Sequence, residues 1–121
     1  MYSIDPRAGF VYTTHPWLIS LYLDCPPNLV LNGIPLECPS PSELQDFKTA
    51  LTKGYITWHG GPMNMQVELM NEDILELALQ LSMNLDTQFS FQAKVLSQRD
   101  VPGLTAAAIP TLPYCVTSIH F

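Results

Sequence analysis

Ala93-Lys94-Val95-Leu96-Ser97, followed at once by Arg99-Asp100-Val101-Pro102-Gly103, sets the frame for the whole chain. The first five residues read as a buried strand, and the Pro-Gly pair turns the chain sharply at its end. A carboxylate at the C-terminal end of a strand in an α/β chain lies on the face where ligands usually bind. Asp100 is therefore the leading candidate for chemistry, as nucleophile, general base or metal ligand.

Strands and helices alternate outward from this segment. Phe10-Val11-Tyr12-Thr13 is aromatic and β-branched and reads as a strand. Thr14 caps a helix over 15–24, with Pro16 in its first turn. Residues 25–41 hold five prolines and read as an inserted loop. Ser40-Pro41-Ser42-Glu43 is a capping box opening a helix that stops at Gly54. Tyr55-Ile56-Thr57-Trp58 is the next strand, broken by His59-Gly60-Gly61-Pro62. Asn71 caps a helix over about 72–88, with Ile74, Leu77, Ala78, Leu81 and Leu85 as its apolar stripe. The strand at 93–97, a short helix through 106–109 and a strand at 115–119 complete the order. The expected fold class is α/β, with about four mostly parallel strands and intervening helices in a single domain over 1–121. Four short strands cannot close a barrel, so that domain is expected to be incomplete.

Composition narrows the function. Only 13% of the 121 residues are charged while 47% are hydrophobic, against about 25% charged in an ordinary soluble domain. A chain so short of charge is expected to meet partner surfaces, by self-association through exposed apolar surface or through further parts of a larger fold. A formal net charge of −6 without a Lys/Arg cluster argues against nucleic acid and against anionic membranes. Met1-Tyr2-Ser3-Ile4-Asp5 has no basic start followed by an apolar run, and Trp17 to Leu23 is too short to span a membrane. Cytoplasmic localisation is the default expectation. Cys25, Cys38 and Cys115 match no zinc module. Three buried or incidental thiols are the favoured reading, with a Cys25–Cys38 disulfide across the Pro-rich loop as the alternative.

Two strand ends carry the polar groups: Trp58-His59-Gly60-Gly61 and Arg99-Asp100. Trp58 offers a flat apolar face for a sugar ring, His59 can line the pocket, and Asp100 can bind hydroxyls or a cation. Each has a plainer competing role. Asp100 can cap the turn or pair with Arg99 or Lys94, His59 can be structural, and Trp58 can be core. His15 and His120 carry little functional weight, and Met63, Met65 and Met70 fill gaps in packing. No phosphate loop, GxSxG or HExxH motif occurs.

Lys53-Gly54-Tyr55-Ile56-Thr57-Trp58-His59-Gly60-Gly61-Pro62-Met63-Asn64 with Glu68, Arg99-Asp100-Val101-Pro102-Gly103-Leu104-Thr105, and Ile109-Pro110-Thr111-Leu112 together resemble the N-terminal catalytic domain of family-38 glycoside hydrolases, the α-mannosidases. The likeness covers roughly 53–119 and is nearest a divergent microbial and fungal branch. Thr13-Thr14-His15-Pro16-Trp17 fits the branch less specifically. The family's Asp-Pro-Phe-Gly-His-Ser strand end is matched here at Asp100, Gly103 and Thr105, while Leu104 stands where the family has His. The resemblance implies a partial (β/α)7 barrel and a metal-dependent retaining glycosidase acting on α-linked sugars. Asp100 would be its nucleophile and a ligand of a divalent metal, zinc. A carbohydrate would be the substrate of the complete domain. No His-x-Asp pair occurs, so these residues alone are expected neither to turn over nor to hold the metal tightly. The alternatives are a non-catalytic carbohydrate-binding or interaction piece from a truncated gene, and a metal module through His59, Cys38 and Cys115.

Overall fold

The computed structural model describes residues 9–92, 95–97, 104–112 and 118–120. They alternate helix and strand in the order β1 (Tyr12–Thr14), α1 (Pro16–Asp24), β2 (Val30–Leu31), β3 (Ile34–Pro35), α2 (Pro41–Thr52), β4 (Ile56–Trp58), α3 (Glu72–Phe89), β5 (Val95–Ser97) and β6 (Ser118–His120). Short 3-10 turns occupy Val67–Leu69 and Ala106–Ala108. Among the described residues the strands pair as three two-stranded sheets, β1 with β4, β2 with β3 and β5 with β6. Two compact units emerge, one from residues 1–14 and 18–57, the other from 15–17 and 58–121.

In the first unit, the Tyr12 amide donates to the Tyr55 carbonyl at 2.9 Å and the Thr13 and Thr57 hydroxyls meet at 3.2 Å. Tyr22 of α1 packs on Phe47 of α2 with ring centroids 4.4 Å apart. The capping box opens α2 as its sequence dictates. Ser40 Oγ accepts from the Glu43 amide, and the Glu43 carboxylate accepts from the Ser40 amide at 2.9 Å and from Ser40 Oγ at 2.7 Å. Those donors hold the Glu43 carboxyl below the usual range.

The Pro-rich segment carries more structure than a loop. β2 and β3 form an antiparallel hairpin with Leu31 opposite Ile34. Asn32 and Gly33 between them both have positive φ, 51° and 80°, as a two-residue type I′ turn requires. Cys25 and Cys38 are joined by a disulfide with Cα atoms 5.6 Å apart, closing this segment at its base. The favoured reading of free thiols is thus corrected for these two. A metal module through Cys38 is excluded with it, because the sulfur is already bonded. Cys115 lies outside the described residues.

The second unit holds the larger core. Met65, Val67, Leu75, Leu79, Leu96, Ala108 and Leu112 are buried together, with Met70, Ala78 and Leu104 packed against them. β5 and β6 run parallel, Leu96 opposite Ile119. The residues that α3 buries are Leu75, Leu79, Ser82 and Leu85. The stripe expected from periodicity is therefore rotated: Leu85 is shared, Ala78 packs at the edge of the core and Leu81 is half-buried, but Ile74 and Leu77 are 51% and 73% exposed. The helix is apolar around more than half its circumference, so spacing alone does not say which arc faces the core. Among the described residues no helix is long and apolar enough to cross a membrane.

Candidate strand-end site

The site grows from the end of β4. Ile56-Thr57-Trp58 is β-branched and aromatic and holds an extended backbone, and the glycines after it let the chain come close to its neighbours. The Gly60 amide donates to the Val95 carbonyl of β5 at 2.7 Å. The Trp17 amide at the start of α1 donates to the Pro62 carbonyl at 3.3 Å. Gly61 is held by packing: a Cβ there would lie 2.5 Å from Leu96 Cδ1 and 3.6 Å from His59 Cε1. Residues 59–62 are thus clamped at both ends.

His59 is buried, 7% exposed. Its Nδ1 accepts from the Gly61 amide at 3.3 Å, and its Nε2 lies 2.7 Å from Nδ1 of His15. The two rings meet edge to face with centroids 4.8 Å apart. Burial pushes the His59 imidazole down to about 4 from its ordinary 6.5, and repulsion by His15 adds to the effect. His59 is therefore neutral at physiological pH.

Trp58 is 4% exposed. Its Nε1 donates to Asp86 Oδ1 of α3 at 2.7 Å. Phe91 lies 4.7 Å and Phe89 6.1 Å from it, centroid to centroid. The indole satisfies its polar atom and packs among aromatics. It offers no open face for a sugar ring to stack on, so the expected platform is a core residue here.

Sequence reasoning paired Trp58 with His59 and passed over His15, the residue that His59 bonds. A signal was present: Tyr12-Thr13-Thr14-His15-Pro16 and Ile56-Thr57-Trp58-His59-Gly60 are both a strand, a histidine, then a backbone punctuator. Asp100 lies outside the described residues. Leu104, where the family pattern has an imidazole, packs against the hydrophobic core.

The described residues do not fit a zinc ion. No group of three His, Cys, Asp or Glu side chains gathers among them. The facing nitrogens of His15 and His59 hydrogen-bond one another at 2.7 Å, closer than the roughly 3.3 Å separating two nitrogens that each bind zinc at about 2.0–2.1 Å in a tetrahedral site. Away from the histidines, a cavity of about 290 Å³ opens beside the start of α3, lined by Val67, Met70, Leu75, Thr105, Ala108 and Thr111 among others. No family model matches the chain, and no curated protein or solved structure matches it significantly.

Proposed function

We propose that this chain is a portion of a glycoside hydrolase barrel of the α-mannosidase type, a (β/α)7 barrel, which binds a sugar at its strand ends without turning it over alone. One observation carries the reading. His59, directly after β4, hydrogen-bonds His15, directly after β1, while the next residue, Gly60, bonds β5, the strand whose sequence leads to Asp100. Polar groups gathered at strand ends are the usual ligand face of α/β folds.

In the retaining reaction, an oxygen of the Asp100 carboxylate bonds to the anomeric carbon as the glycosidic C–O bond breaks. Water then releases the sugar. The departing oxygen needs a proton from a second carboxylic acid, and the family likeness assigns none in this sequence. Leu104 packs against the core, and no step through a metal is assigned. Binding without turnover follows. The Cys25–Cys38 bridge favours an oxidising compartment over the cytoplasm.

Saturation-transfer NMR with methyl α-mannoside tests the reading. The expected result is weak binding, about millimolar, reduced about tenfold in Asp100→Asn, with no nitrophenol released from an aryl α-mannoside. Binding undetected in the wild type, or untouched in Asp100→Asn, contradicts it. A second reading, a non-catalytic interaction piece, draws on the exposed Ile74 and Leu77 of α3. It expects association that rises with concentration and is lost in Leu77→Glu, whatever residue 100 is.

A further inference from the structure

The hydrogen bonds fix where each imidazole proton sits. Gly61 presents an N–H to Nδ1 of His59, and a nitrogen that accepts cannot also carry a hydrogen there. The neutral His59 ring therefore bears its hydrogen on Nε2. That hydrogen is donated across 2.7 Å to Nδ1 of His15. Nδ1 of His15 is thus an acceptor too, and the hydrogen of neutral His15 is left on its Nε2. Three donors point the same way along the relay, each polarising the next. Among the described residues nothing accepts from Nε2 of His15, which sits on a half-buried side chain.

We propose that the Gly61–His59–His15 relay holds His15 as an uncharged N–H donor for an oxygen of a neutral, hydroxylated ligand, with His59 as the positioning residue. The relay itself follows from geometry alone; a sugar oxygen as the acceptor rests on the glycosidase-type reading above.

The same bonds disfavour the other tautomer of His15. A ring hydrogen on Nδ1 of His15 would displace the hydrogen that His59 donates. His59 then has to carry its hydrogen on Nδ1, where it meets the Gly61 N–H. Neutral donors suit hydroxyl and ring oxygens, whereas a carboxylate or phosphate gains more from a cation.

Long-range ¹H–¹⁵N spectra of the full chain at neutral pH read both tautomers directly. The expected result is hydrogen on Nε2 of each ring, with the His15 Nε2 signal moving when methyl α-mannoside is added. His59→Gln keeps a neutral donor that reaches His15 and leaves its tautomer unchanged; His59→Leu removes the donor and lets His15 exchange between tautomers. Hydrogen on Nδ1 of either ring overturns the relay, even if sugar binds. So does a His15 tautomer indifferent to His59→Leu, or one already mixed in His59→Gln. A fixed tautomer pair that sugar does not perturb overturns the ligand assignment and leaves the relay standing.

Discussion

Gly61 has no side chain because Leu96 Cδ1 occupies the place of one, 2.5 Å from where a Cβ would sit. Leu96 is itself wholly buried and cannot retreat into solvent. Gly61→Ala is expected to cost about 1–3 kcal/mol, read as a lower urea midpoint at unchanged slope. His59 gives a pH signature. Its folded value, about 4, lies below its ordinary 6.5, so the unfolded chain takes up the proton first. The stability contribution is complete above about 6.5 and declines as pH falls towards about 4. The difference in melting temperature between wild type and His59→Gln is expected to narrow across that window; a constant difference contradicts the assignment. His59 stood out in the sequence because a polar residue follows an apolar strand and precedes two glycines. Its bond to His15 did not, since the two residues are 44 positions apart and no local pattern encodes a contact at that distance.

At the scale of elements, short-range physics was legible and long-range packing was not. Ser40 with Glu43 and Asn71 with Ile74 are contacts three residues apart, written in the sequence and present in the structure. Asn71→Ala is expected to destabilise by about 1 kcal/mol through loss of that N-cap. The Asn32-Gly33 turn was equally local, and the surrounding prolines masked it. The orientation of α3 is different. Leu75 and Leu79 are buried in one cluster with Leu96 and Ala108 from beyond the helix, a fact outside the helix's own periodicity. Leu79→Ala is expected to cost about 2–5 kcal/mol, while Leu77→Ala on the exposed arc changes stability by less than about 0.5 kcal/mol. Equal losses in chemical denaturation would return the core to the stripe that spacing suggests.

At the scale of the molecule, composition anticipated a chain with apolar surface to cover, and the exposed arc of α3 is one such place. In the sequence, free thiols are the plainer reading of the cysteines, because spacing alone cannot say whether two of them reach bonding geometry. Of the three cysteines, Cys25 and Cys38 are bonded, so thiol titration of the unreduced, denatured chain is expected to find one reactive group, and three after reduction. Breaking the bridge is expected to cost about 3 kcal/mol for a closed loop of this order. The four strands anticipated at 10–13, 55–58, 93–97 and 115–119 have counterparts in β1, β4, β5 and β6, and their ends carry the functional proposal. Mapping the ring-proton shifts of His15 and His59 during titration with methyl α-mannoside tests that proposal most directly. Saturable shifts at both rings, diminished in Asp100→Asn, are the expected result; shifts confined to Thr105 and Thr111 at the cavity beside α3, or none anywhere, contradict it.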